Sequence, residues 1–173
     1  MRVLLALSVA LCAAPLLAAQ SPNSPAYQRI VKEVRHELVM LPYLGVFDNL
    51  AYKVDGSTVT LVGQVTRPTL KSDAESVVKN VEGVEKVDNQ IEVLPLSPDD
   101  DRIRRATYMA LVRNQQLSRY FMQAVAPIRI IVKNGNVTLE GVVASQGDSE
   151  MANIAAKGVP DAFSVTNHLR VEK

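Results

Sequence analysis

Residues 59–65 read VTLVGQV, and residues 137–143 read VTLEGVV. Working outward without a gap, an offset of 78 lays residues 54–94 over 132–172, with 12 of the 41 positions identical. Unrelated chains of ordinary composition would share about two or three. The identities fall in register. Val59, Thr60, Leu61, Gly63 and Val65 meet Val137, Thr138, Leu139, Gly141 and Val143; Ala74, Lys79 and Val81 meet Ala152, Lys157 and Val159; Val87, Asn89 and Val93 meet Val165, Asn167 and Val171. The chain is therefore a tandem of two small domains.

Each copy reads as helix, strand, strand, helix, strand. Ile30, Val34, Leu38 and Leu41 recur at helical spacing and give one apolar face. Strands at 50–54 and 58–65 flank the turn Asp55-Gly56-Ser57, suited to a tight hairpin. Leu70, Ala74, Val77 and Val81 give a second amphipathic helix that Gly83 is expected to close, and Val84, Val87, Ile91 and Val93 supply the last strand. A helix between the second and third strands predicts a parallel crossover. The fold class is α+β: two tandem domains, each a three-stranded mixed sheet packed by two helices (αββαβ).

The second copy departs in three places. Asn134-Gly135 is a stronger hairpin signal than the turn it replaces. Pro160, Asp161 and Ala162 stand where Glu82, Gly83 and Val84 stood, which predicts a different helix end. Five extra residues lie between first helix and first strand, so the helix beginning near Asp101 has room for another turn. Residues 25–94 form the first domain, the Pro- and Asp-rich stretch 95–100 a linker, and 101–173 the second domain. Asp99, Asp100 and Asp101 lack the glycine and spaced ligands of a calcium loop and read as a helix start, where carboxylates complement the dipole and cap open donors.

Ahead of the repeats, Arg2, an apolar run at 3–11 and small residues ending at Ala19 read as a secretory signal peptide, 1–19, too short to be a good membrane span. Cys12 raises a lipoprotein anchor, but Leu11 is larger than the residue usual before a lipidated cysteine, which argues against it. With the leader gone no cysteine remains, so stability rests on packing. Without Arg2, 18 basic residues balance 18 acidic ones, which argues against nucleic acid as a bulk electrostatic partner.

Together these residues resemble the BON domain family of bacterial envelope modules. The shared features are the leading helix, the Val-Thr-Leu-x-Gly-x-Val strand, the alanine-bearing helix, a Gly-Val pair and the Val-x-Asn-x-Ile/Leu-x-Val strand. The first copy carries Gly63, Gly83, Val84 and Asn89; the second keeps Gly141 and Asn167 and lacks the Gly-Val pair. The resemblance implies a double-BON periplasmic protein, similar to osmotically inducible periplasmic proteins, that binds phospholipid and supports envelope integrity. Gly63 and Gly141 read as strand positions that permit a bulge or close approach of a helix, and Asn89 and Asn167 as amides that hold a turn or take left-handed backbone.

Nothing marks an active site. His36 and His168 lie on different elements of different copies, and no cysteine, phosphate-cradling loop or cofactor motif joins them. The chain reads as non-enzymatic, without cofactor or metal. The candidate surface is the leading helix of the second copy. At 100° per residue Arg102, Arg105, Met109 and Arg113 fall within about 80° of one another, beside an apolar face carrying Ile103, Ala106 and Ala110, and Arg119, Tyr120, Phe121 and Met122 follow. Such a surface suits an anionic phospholipid membrane, with arginine on phosphate and rings in the headgroup boundary. The plainer reading makes the arginines a solvated helix face and Tyr120, Phe121 and Met122 core or seam. Residues 25–95 carry net −2 and residues 96–173 net +2. The opposite charges leave open a protein-interaction or adaptor module of the envelope, with the repeats packed on each other or on envelope proteins. Self-association is undetermined.

Overall fold

The computed structural model describes residues 24–172, so the leader, its cleavage site and Cys12 lie outside the described residues. The first repeat contains α1 (Pro25–Val39), β1 (Asn49–Asp55), β2 (Thr58–Val65), α2 (Pro68–Lys79), β3 (Lys86–Asn89) and β4 (Glu92–Val93). The second contains α3 (Pro98–Arg113), a 3-10 turn (Ser118–Phe121), β5 (Ile128–Lys133), β6 (Asn136–Val143), α4 (Gln146–Lys157) and β7 (Ser164–Val171). Each repeat is an α+β unit. Its first two strands pair antiparallel and its third lies parallel to the second. β3 and β4 are two pieces of one strand: Leu61 faces Asn89 and Gln64 faces Glu92, an unchanged register across the break.

Alternation puts Val59, Leu61 and Val65 on the covered face of β2, and Val137, Leu139 and Val143 on that of β6. Ile30, Val34 and Leu38 meet the first set; Leu41 reaches the same core from beyond the helix, which ends at Val39. Ile103, Thr107 and Leu111 occupy the matching face of α3. The second core also takes in Val46 and Phe47, which belong to the first repeat in sequence.

Several expectations are corrected. The connection is shorter than 95–100, because Ser97 caps α3 and Pro98 takes its first turn, where a missing N–H costs nothing. The five extra residues do not add a turn to α3, and the longer connection to β5 carries the 3-10 turn instead. α4 does not end differently from α2: both stop at the equivalent lysine, Lys79 and Lys157. Gly83 does not close α2, whose C-cap is Asn80. It sits in the following turn at φ +92°, and Asp161 holds the equivalent place at φ +66°.

The glycine pair admits a strand rather than a helix. Gly63 and Gly141 lie at φ +122° and +123°, and a Cβ there would stand 2.0 Å from the Asn49 carbonyl oxygen and 1.9 Å from that of Pro127. Neither asparagine takes left-handed backbone, and Asn167 lies within β7 rather than at a turn. Asn89 donates to the Lys71 carbonyl of α2 at 2.9 Å and accepts from the Ile91 N–H at 3.2 Å; Asn167 likewise bonds Ser149 of α4 at 3.0 Å and Leu169 at 3.1 Å. Each amide thus ties the crossover helix to the third strand.

Candidate functional site: the leading helix of the second repeat and the cleft beside it

The acidic triplet at the start of α3 divides its work. Asp100 is buried and turns away from its own helix, accepting from the N–H of Asn134 at 2.9 Å and of Gly135 at 2.7 Å, so it fixes the β5–β6 hairpin. Asp99 and Asp101 pair with Arg102 and Arg104 one turn on. The side-chain cap comes from Ser97 alone, while the three carboxylates still favour the positive helix end.

Of the seven residues singled out for lipid contact, the structure keeps three on one open stripe. Arg105, Met109 and Arg113 are exposed and spaced one turn apart. Among the described residues neither Arg105 nor Arg113 forms an ion pair. Arg102 is exposed but held between Asp99 and Asp161, which raise its already high pKa. Arg119 bonds Asp148 at 2.8 Å. Phe121 packs edge-on to Tyr108, centroids 5.3 Å apart, and is half-buried.

Tyr120 is not available to a lipid: it is buried, its hydroxyl donates to Asp148 at 2.9 Å and accepts from the Ala144 N–H at 2.8 Å. Ser145 bonds the same carboxylate at 2.7 Å. The Ser145 hydroxyl, followed by Tyr120 and Arg119, holds Asp148 below the usual aspartate range against the opposing effect of burial. A depressed folded pKa gives stability that is present above the ordinary value of about 4 and lost as pH falls through the lower folded value. Asp148→Asn is therefore expected to destabilise the second repeat by about 1–2 kcal/mol at pH 7, with the gap from wild type narrowing in urea denaturation at pH 3. An unchanged gap would mean that the carboxylate charge contributes nothing.

Sequence reasoning missed two arginines. Arg104 is buried and donates to the Val132 carbonyl at 2.7 Å on the outer edge of β5. It occupies the place of Val31 in α1, and that mismatch of the two copies was its one visible signal. Arg129 lies on β5 and donates to the Gly45 carbonyl of the first repeat at 2.8 Å. Burial lowers its pKa, against the pull of nearby Asp48.

The segment 44–48 joins the repeats. Val46 accepts from the Ile130 N–H at 2.9 Å, adding a short length of backbone to the β5 edge. Phe47 meets Tyr108 edge-on at 6.3 Å, and Lys133 pairs with Glu92 at 2.5 Å. Asp48, buried, anchors the segment by accepting from Gly45 N–H at 2.9 Å, Thr66 N–H at 2.7 Å and the Thr66 hydroxyl at 2.8 Å. The acidic first and basic second repeat meet in charge at Lys133–Glu92 and where Asp48 acts on Arg129. Between them lies a cleft of about 420 Å³, lined by Val39 and 44–47 on one side and by Arg105, Tyr108, Phe121, 123–126 and Arg129 on the other.

His36 is exposed on α1, and His168 pairs with Glu140 on the second sheet. No helix among the described residues is long and apolar enough to cross a membrane.

Comparison with known proteins agrees with this architecture. The family model described as BON domain matches residues 28–95 and again 99–173. The curated Osmotically-inducible protein Y of Escherichia coli (strain K12) is 26% identical over 127 residues, 72% of this chain. The match spans 62% of that relative's length. Two solved structures of CdsD, a structural protein of the type III secretion system of Chlamydia trachomatis, each align with 83% of this chain at 11% and 10% identity, covering 98% and 92% of theirs. Their TM-score of 0.30 is too low to carry an argument.

Proposed function

The chain belongs to the BON domain family, with two tandem copies, and from that premise we propose that it is a non-enzymatic periplasmic protein. It contacts the anionic phospholipid surface of the envelope and supports envelope integrity under stress. The observation that carries the proposal is the stripe Arg105, Met109 and Arg113 on α3: two guanidiniums free of carboxylate partners among the described residues, with a thioether 42% exposed between them. Met122, 85% exposed, follows the 3-10 turn and offers a second flexible apolar group. The apolar leader supports the compartment, and the name of the osmotically-inducible relative supports the link to stress.

Magnitude sets the mode of binding. At about 1 kcal/mol per basic residue near an anionic surface, two uncommitted arginines give about 2 kcal/mol, a weak and reversible attachment that apolar insertion or multiple copies must reinforce. In co-sedimentation, binding to phosphatidylglycerol vesicles but not to phosphatidylcholine vesicles is expected, falling steeply between low and high salt. Arg105→Ser with Arg113→Ser should weaken it about 30-fold. Failure of the folded protein to bind anionic vesicles at low salt would sink this reading.

A protein-adaptor reading has one specific observation in its favour. β7 is eight residues long and, among the described residues, pairs with β6 alone, which leaves its other edge to admit an added strand from a partner.

A further inference from the structure

The cleft between the repeats has a chemistry that the membrane stripe does not need. Its rings, Phe47 from the first repeat with Tyr108 and Phe121 from the second, form a continuous edge-to-face series. Val39 and Val125 stand at its lip, 40% and 39% exposed. Arg105 and Arg129 line it from the second repeat, and no carboxylate does so among the described residues. Among the described residues Arg129 hydrogen-bonds the Gly45 carbonyl and forms no direct ion pair, and Asp48, whose oxygens are engaged by Gly45 and Thr66, acts on it from nearby. Rings beside two arginines, Arg105 with no ion pair among the described residues and Arg129 opposed only by the nearby Asp48 carboxylate, suit a ligand with an apolar body and an anionic head, and about 420 Å³ lies within the usual range for a small-molecule site.

We propose that this cleft binds a single anionic amphiphile, a carboxylate or phosphate monoester carrying one acyl chain, with its head between Arg105 and Arg129 and its chain against Phe47, Tyr108 and Phe121. The inference shares its lipid chemistry with the membrane reading but concerns a dissolved monomer held between two domains. Arg105, which also belongs to the exposed stripe, is common to both sites; Arg129 belongs to the cleft and Arg113 to the stripe.

The test is isothermal titration calorimetry of the purified protein with laurate, with lauroyl lysophosphatidate, with neutral monolaurin and with inorganic phosphate, each amphiphile below its micelle concentration. Saturable one-to-one binding of at least one anionic amphiphile is expected, tenfold or more tighter than monolaurin, with no heat from phosphate. The preference between laurate and lysophosphatidate assigns the source of the head group. Arg105→Gln and Arg129→Gln should each weaken binding about tenfold, and Arg113→Gln should leave it unchanged. Because Arg129 also bonds the first repeat, Ala124→Phe gives a second test: it narrows the cleft without removing that bond and should weaken the acyl ligands. Absence of saturable binding in the folded wild type, or binding indifferent to all three cleft variants, overturns the proposal. Vesicle binding weakened about fivefold in Arg113→Ser with laurate binding intact separates the two sites, so either reading can fail alone.

Discussion

Gly141→Ala is expected to abolish the folded state of the second repeat. At φ +123° an L side chain is already strained by about 1–3 kcal/mol. The added Cβ would also sit 1.9 Å from the carbonyl oxygen of Pro127, a backbone atom whose partner is the Val142 N–H. Relief requires moving the start of β5 away from β6, which breaks that bond and shifts Ile128, fully buried. The combined cost is about 4 kcal/mol or more, comparable with the whole stability of a unit of this size. Loss of the cooperative transition in circular dichroism is the expected readout, with Gly63→Ala doing the same to the first repeat. Gly147→Ala is the control: it lies in the first turn of α4 with nothing nearer than 3.7 Å to the added methyl, and should be neutral or slightly stabilising. A Gly141→Ala variant melting within a few degrees of wild type would refute the account.

Asp48→Ala is expected to cost about 3 kcal/mol and to loosen both repeats. It strands three donors, the N–H groups of Gly45 and Thr66 and the Thr66 hydroxyl, around a buried site. Asp48 also holds the segment whose next carbonyls receive Arg129 and Ile130. The effect should therefore cross the sequence: amide exchange at Ile130, 82 positions away, should accelerate along with that at Thr66. Acceleration confined to the first repeat would show that Asp48 supports its own hairpin and nothing beyond.

The repeat itself made the element order, the mixed sheet and most of the core legible, because Val59, Leu61 and Val65 alternate and their counterparts do so in register. The errors lie where two copies of one pattern carry different chemistry. Asp161 holds a left-handed position that the sequence of the first copy assigns to glycine, with Arg102 bonded to its carboxylate. Tyr120 looked like a lipid-facing ring because helical spacing does not disclose a carboxylate 28 positions away that receives its hydroxyl. Arg104 sits in the second core's edge because Val132 offers a carbonyl there, a feature of tertiary structure whose one trace in the sequence is the mismatch with Val31. The cleft was invisible for the same reason: Arg129 is one polar residue in an otherwise apolar strand, and docking of the segment 44–48 against it is a feature of tertiary structure.

The bond from Ile130 to Val46 has a consequence for the order in which the repeats are made. Left bare, the apolar strand β5 would offer the unpaired N–H of Ile130 beside Ile131, an edge able to seed aggregation with another chain. The cover comes from the repeat that leaves the ribosome first, so it can already be in place when the strand that needs it is completed. A fragment beginning at Leu96 would lose that protection and precipitate at concentrations the whole chain tolerates.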